Sequence, residues 1–160
     1  METGKSVMEL HDYQKFCVDF ICSHPSCALL LDMGLGKTVT TLTAVKELAY
    51  DMLEVHKALV IAPLRVARDT WPAEMEKWEH LHGIPYSVIV GDRKERVAAI
   101  EKPALLYFIN RENTEFLVQY YHGQKRRWDF DMVVIDELSS FKSAKAKRFK
   151  ALRSVRPFVN

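Results

Sequence analysis

Lys37 and Thr38 end a glycine-bearing stretch, Asp32-Met33-Gly34-Leu35-Gly36-Lys37-Thr38, that follows a short all-apolar run, Cys27-Ala28-Leu29-Leu30-Leu31. Glycine at Gly34 and Gly36 lets a backbone fold tightly enough for successive N–H groups to face one anion. A helix starting at that point adds the positive end of its dipole. A lysine placed there can reach terminal phosphates, and the Thr38 hydroxyl can ligate magnesium. The full phosphate-loop pattern would put its first glycine at Leu31, so the match is carried by the second half of the pattern and by its context, strand before and helix after.

Such a loop needs carboxylates at the carboxyl end of another core strand. Asp136-Glu137 follows the apolar run Met132-Val133-Val134-Ile135 directly. Asp136 there would hold magnesium, commonly through water, and Glu137 would polarise an attacking water. Lys37 and Glu137 are therefore the candidate catalytic pair, and Thr38 and Asp136 the candidate metal ligands.

The elements that must position these residues can be read from the apolar pattern. Leu10, Tyr13, Phe16-Cys17 and Phe20-Ile21 recur at helical spacing, and Ser23-His24-Pro25-Ser26 breaks that helix. A helix is expected from Lys37 to Leu53. Ala58 to Ala62 reads as a strand stopped by Pro63, after which Trp71, Met75 and Trp78 share one helix face with Pro72 in its first turn. A strand at Tyr86 to Val90, a helix at Asp92 to Glu101, a strand at Ala104 to Ile109 and a helix at Asn113 to Tyr121 precede the strand Met132 to Ile135. Strands alternating with helices predict an α/β layered fold with a mostly parallel sheet, in one domain spanning 1–160. The Trp71/Met75/Trp78 stripe reads as core rather than as a platform for stacking bases.

The 160 residues carry a formal charge of +2, too near zero to identify a partner. The distribution is uneven. Lys142, Lys145, Lys147, Arg148, Lys150, Arg153 and Arg156 run without an acid among them, and Lys125-Arg126-Arg127 precedes them. That run reads either as a solvated helix face or as a surface facing phosphates. Cys17, Cys22 and Cys27 are odd in number, with no signal-like segment and no membrane-length apolar stretch, which points to a reducing cytosol. Zinc among Cys17, Cys22, His24 and Cys27 is disfavoured, because the spacing lacks paired C-x-x-C and Cys17 lies in a periodic apolar segment.

Four motifs in order carry a family resemblance over essentially the whole chain. Asp32 to Thr38 resembles motif I of the Swi/Snf-type helicases of superfamily two, and Leu10-His11-Asp12-Tyr13-Gln14 resembles their Q motif. Ile61-Ala62-Pro63-Leu64-Arg65 through Trp71 and Glu76-Lys77-Trp78 resembles motif Ia and its helix, and Asp136 to Lys142 stands where motif II belongs. The likeness is to the phage and prophage branch more than to chromatin remodellers, which implies a bacterial host cell. It implies a three-layer RecA-like P-loop domain that binds ATP and Mg2+ through Gln14 (reading the adenine edge), Met33, Gly34, Leu35, Gly36, Lys37 and Thr38. It also implies a nucleic-acid partner, DNA before RNA, with Arg65, Asn110 and Arg111 as backbone contacts and Lys145, Lys147 and Lys150 on the basic helix. For Arg65 and Arg111 a surface ion pair is the competing reading.

Motif II departs from its better-known forms by carrying Leu138 and Ser139 in its last two places. The acids survive, so magnesium binding is expected; the contact that a fourth-position His or Asp makes to the rest of the motor is not. A motif III turn and a second RecA-like domain with its arginine finger are also implied, and neither occurs within the 160 residues. The expected domain is thus incomplete at its C-terminal end, with negligible turnover by itself. Two readings stay open: the ATP-binding half of a nucleic-acid translocase, which needs a second domain or partner, or a non-catalytic binding module derived from one.

Overall fold

The computed structural model describes residues 10–23 and 37–136. Outside the described residues lie the apolar run 27–31, Met33, Gly34, Leu35, Gly36 and Glu137, and the basic segment with Lys145, Lys147 and Lys150. The chain packs as two compact units, one formed by residues up to Glu54 together with Ala73–Gly83, the other by Val55–Pro72 and the residues from Ile84 onward.

The second unit holds the sheet. Its strands are β1 (Ala58–Ala62), β2 (Tyr86–Ile89), β3 (Leu106–Asn110) and β4 (Met132–Ile135), arranged β2-β3-β1-β4 with every pair parallel. The α/β parallel architecture expected from the apolar pattern is the one observed. β1 and β3 are buried over all five of their residues, which suits their continuous apolar sequences. Leu59 and Ile61, with Tyr107 and Ile109, belong to one core together with Ile100, Leu117, Val118, Tyr121, Trp128 and Phe130. Each fully buried aliphatic or aromatic side chain there stabilises the fold by about 1.5–3 kcal/mol. β4 is half-buried throughout.

Parallel neighbours require crossovers, and α4 (Arg93–Glu101) and α5 (Thr114–Gly123) provide two of them. Asp92 caps α4 from outside rather than forming its first turn: its carboxylate accepts from the Glu95 N–H at 2.8 Å, and the Glu95 carboxylate accepts from the Asp92 N–H at 2.9 Å. The returning Glu95 side chain occupies the space beside Gly91, where an added Cβ would lie 1.8 Å from Glu95 Oε2. Gly91 also has φ +97°, so both space and backbone select glycine. β3 starts two residues later than its apolar run suggests. The Ala104 N–H is taken by the Tyr107 hydroxyl at 3.1 Å, and the Leu105 N–H by the Pro85 carbonyl at 3.0 Å.

The first unit carries α1 (Asp12–Ser23) and α2 (Lys37–Lys46), with α3 (Trp71–Lys77) contributing its later residues. The helix expected to run to Leu53 leaves α geometry at Lys46, widens into a π-helical turn at Glu47–Asp51 and ends near Leu53, whose φ is 55°. Val39, Thr40, Leu42, Thr43, Ala44 and Val45 of α2 are all buried. The Thr43 hydroxyl donates to the Val39 carbonyl at 2.7 Å, so it accepts from His80 Nε2 at 2.8 Å. Burial, and then Lys46, hold the His80 pKa below its ordinary value, which keeps the ring neutral at neutral pH.

Cys17 and Cys22 are free thiols. Burial, followed by the neighbouring Glu47 carboxylate, pushes the Cys22 thiol up to about 12, where it is not a thiolate at neutral pH. Among the described residues no three His, Cys, Asp or Glu side chains gather to hold a metal ion, and no helix is long and apolar enough to cross a membrane.

Candidate functional site

In an open parallel sheet, ligands bind outside the carboxyl ends of the strands. The register brings the described candidates of the sheet unit to that edge. Ala62 lies opposite Asn110, and Ile61 lies opposite both Ile109 and Ile135, so Pro63-Leu64-Arg65, Asn110-Arg111 and Asp136 all emerge on the same side. The Asp136 N–H extends the ladder by one bond, donating to the Ile61 carbonyl at 2.8 Å.

Asp136 is half-buried. Its Oδ2 accepts from the indole Nε1–H of Trp71 at 3.4 Å. Trp71 itself is only 2% exposed and lies against Phe108, with ring centroids 5.9 Å apart. The apolar stripe Trp71, Met75 and Trp78 is buried at all three positions. What the stripe alone does not reveal is that the polar tip of Trp71 reaches a carboxylate 65 residues away in sequence. No local signal marks that contact; only the expectation that a buried indole N–H needs an acceptor could have prompted a search for it.

Arg65 is exposed and opens a π-helical turn, Val66–Thr70. The turn is closed by the Trp71 backbone N–H donating to the Val66 carbonyl. Arg68 within it forms an exposed two-bonded ion pair with Asp69, at 3.0 and 2.9 Å.

Asn110 and Arg111 differ sharply although adjacent. Asn110 is buried, with its amide engaged locally: Nδ2 donates to Glu112 Oε2 at 3.1 Å, and Oδ1 accepts from Asn113 Nδ2 at 2.5 Å. Its side chain therefore shapes the short turn Arg111–Asn113. The Nε and Nη1 atoms of Arg111 are buried and have no hydrogen-bond partner among the described residues. The ion pair considered for Arg111 is absent among the described residues. Arg111 as a whole is half-buried, and a buried donor left without a partner costs on the order of 1–3 kcal/mol.

In the other unit, Lys37 opens α2 and Thr38 stands half-buried in its first turn. Gln14 is buried near the start of α1, where its Oε1 accepts from the His11 backbone N–H at 2.8 Å. That bond helps to fix the orientation of the carboxamide.

The chain is similar to several known proteins. Protein p41 of Acyrthosiphon pisum secondary endosymbiont phage 1 is 34% identical over 137 residues, covering 85% of this chain and 29% of p41. Helicase SWR1 of Saccharomyces cerevisiae is 28% identical over 149 residues, covering 89% of this chain and 10% of SWR1. Among solved structures, the Sulfolobus solfataricus SWI2/SNF2 ATPase core in complex with dsDNA superposes with a TM-score of 0.71 at 25% identity, covering 95% of this chain and 31% of that one. The chain thus spans less than a third of the relatives it matches. A model of the SNF2-related domain matches residues 13–157, and the chain belongs to that family.

Proposed function

We propose that the chain is the ATP-binding part of a nucleic-acid-dependent ATPase of the Swi/Snf helicase type, one that tracks along DNA. The observation that carries this is the carboxyl edge of the sheet: in a chain of this family, Asp136 leaves β4 beside the strand that leads into Arg65, and Arg111 offers buried, unpartnered donors on the same edge.

The donor set suits the expected ligands. A threonine hydroxyl and a carboxylate are hard oxygen donors of the kind magnesium selects, and Asp136 already has one oxygen oriented by a neighbour. Thr38 and Asp136 would hold the ion, Met33, Gly34, Leu35 and Gly36 would wrap the phosphates, Lys37 would meet the terminal ones, and Gln14 would face the adenine. The bound ion would supply charge neutralisation at the phosphates. Glu137 would orient and polarise the attacking water. Arg65 and Arg111, with Lys145, Lys147 and Lys150, would contact the nucleic-acid backbone, and Asn110 would hold the turn that presents Arg111. Duplex DNA is the preferred track, since the solved relative was captured with it. The work would proceed inside the bacterial host of a phage-type gene.

Equilibrium titration of the chain with ATP and Mg2+ tests the reading. Binding that is lost in Lys37→Ala supports it, whereas equal affinity in the two proteins would overturn it. If neither binds nucleotide while duplex DNA is still retained, a non-catalytic binding module is the better description. Steady-state hydrolysis by the 160 residues alone is expected to be negligible, because an arginine finger contributes about 10³–10⁵ in rate.

A further inference from the structure

Trp71 has two N–H groups, and each holds a different part of the proposed site. Its indole N–H reaches Asp136 Oδ2, and its backbone N–H closes the π-helical turn Val66–Thr70 that Arg65 opens. We infer that Trp71 is a positioning residue for Asp136, and that it transmits the state of the Arg65 turn to that carboxylate. The inference rests on the nucleotide-binding reading above and names a regulation of the same site.

The physical case has three parts. First, the indole is 2% exposed and packed against Phe108, so it cannot turn freely in place; it moves when its backbone moves. Second, the segment behind it is a π turn, a wide arrangement found mostly as single turns and often at functional sites. Tightening such a turn to α geometry rotates every side chain that follows it, which gives a discrete alternative in which Nε1 no longer meets Oδ2. Third, the present bond is long. At 3.4 Å it lies beyond the usual 2.7–3.2 Å range for N–H···O, so a small displacement of the turn makes or breaks it.

Phosphate drawn to Arg65 acts on the residue that caps that turn at its start, and Trp71 caps its end. Trp71 thereby offers a route between track and metal carboxylate. Groups that orient a metal ligand from behind affect metal affinity by about 10–100-fold when removed. For a bond this long the lower end is expected.

The chain has three tryptophans, and their indole N–H resonances give a direct readout. Trp78→Phe and Trp128→Phe identify the Trp71 signal by elimination, without altering Trp71. That signal should shift when Mg2+ and ADP are added and shift again when a DNA duplex is added alone. In Trp71→Phe, ADP affinity without Mg2+ should stay unchanged, while the strengthening by Mg2+ should fall about tenfold. Failure of wild type to bind ADP overturns both readings. Binding of ADP with the same Mg2+ dependence in Trp71→Phe, or a duplex that binds and leaves the Trp71 signal in place, overturns this inference alone.

Discussion

Lys57 and Arg111 stand at opposite edges of the same pair of strands, one just before β1 and the other just after β3. Both draw a cation partly out of solvent, and among the described residues only Lys57 has partners for its buried donors. Lys57 Nζ donates to Asp129 Oδ2 at 2.9 Å and to the Tyr121 hydroxyl oxygen at 3.1 Å, and lies 4.7–5.8 Å from the ring centroids of Phe130, Tyr107 and Tyr121. Asp129 in turn accepts from the Tyr121 hydroxyl at 2.7 Å, and Arg126 sits over the Tyr121 ring. At the other edge Arg111 has two buried donors without partners among the described residues. The amino edge is satisfied internally, while under the proposed function a bound anion would satisfy the donors at the carboxyl edge. Unsatisfied buried donors weaken the free protein, so on that reading the contrast separates a residue that stabilises the fold from one that would serve binding.

Three measurements test the contrast. The largest effect is expected at Lys57. Lys57→Met leaves the Asp129 carboxylate without its nearest cation and removes the charge facing the aromatic rings, and should lower stability by about 1–2 kcal/mol in urea unfolding, with duplex binding unchanged once folded. Arg111→Met should do the reverse: stability equal to wild type or higher by up to about 1 kcal/mol, weaker duplex binding, and a log–log salt slope shallower by about 1. A destabilised Arg111→Met with full duplex affinity would erase the distinction between the edges.

The smallest effect concerns acid. Burial opposes ionisation of Asp129, but the bonds from Tyr121 and Lys57 outweigh it and hold the pKa below the ordinary carboxylate value. A carboxylate depressed by folding contributes stability above its unfolded pKa and loses it as pH falls through the folded one. Stability should therefore drop as pH falls below about 4, and Asp129→Asn should flatten that drop. Parallel pH profiles for the two proteins would show that the amino edge is not held by this carboxylate.

Much of the fold could be read from local pattern. Ala58–Ala62 and Met132–Ile135 coincide with their strands because an apolar run ends in Pro63 in one case and in a carboxylate in the other. Element ends governed by distant partners were less legible. The start of β3 depends on a tyrosine hydroxyl and a carbonyl from before β2, and the end of α2 on a π turn with no compositional mark. Within the candidate site, residue type singled out Asp136, Arg65 and Arg111 as candidates but not their circumstances. That Asn110 turns inward, that Arg111 has donors without partners among the described residues and that Trp71 touches Asp136 are facts of packing that residue type does not carry.

The all-parallel register has a consequence for synthesis. β1 occupies an interior place in the sheet and pairs with β3 and β4, which leave the ribosome roughly 50 and 75 residues later. At about 5–20 residues per second, Ala58-Leu59-Val60-Ile61-Ala62 waits several seconds for its neighbours. During that interval a wholly apolar strand has neither of its two described neighbours to pair with, and its open edges are exposed to mispairing.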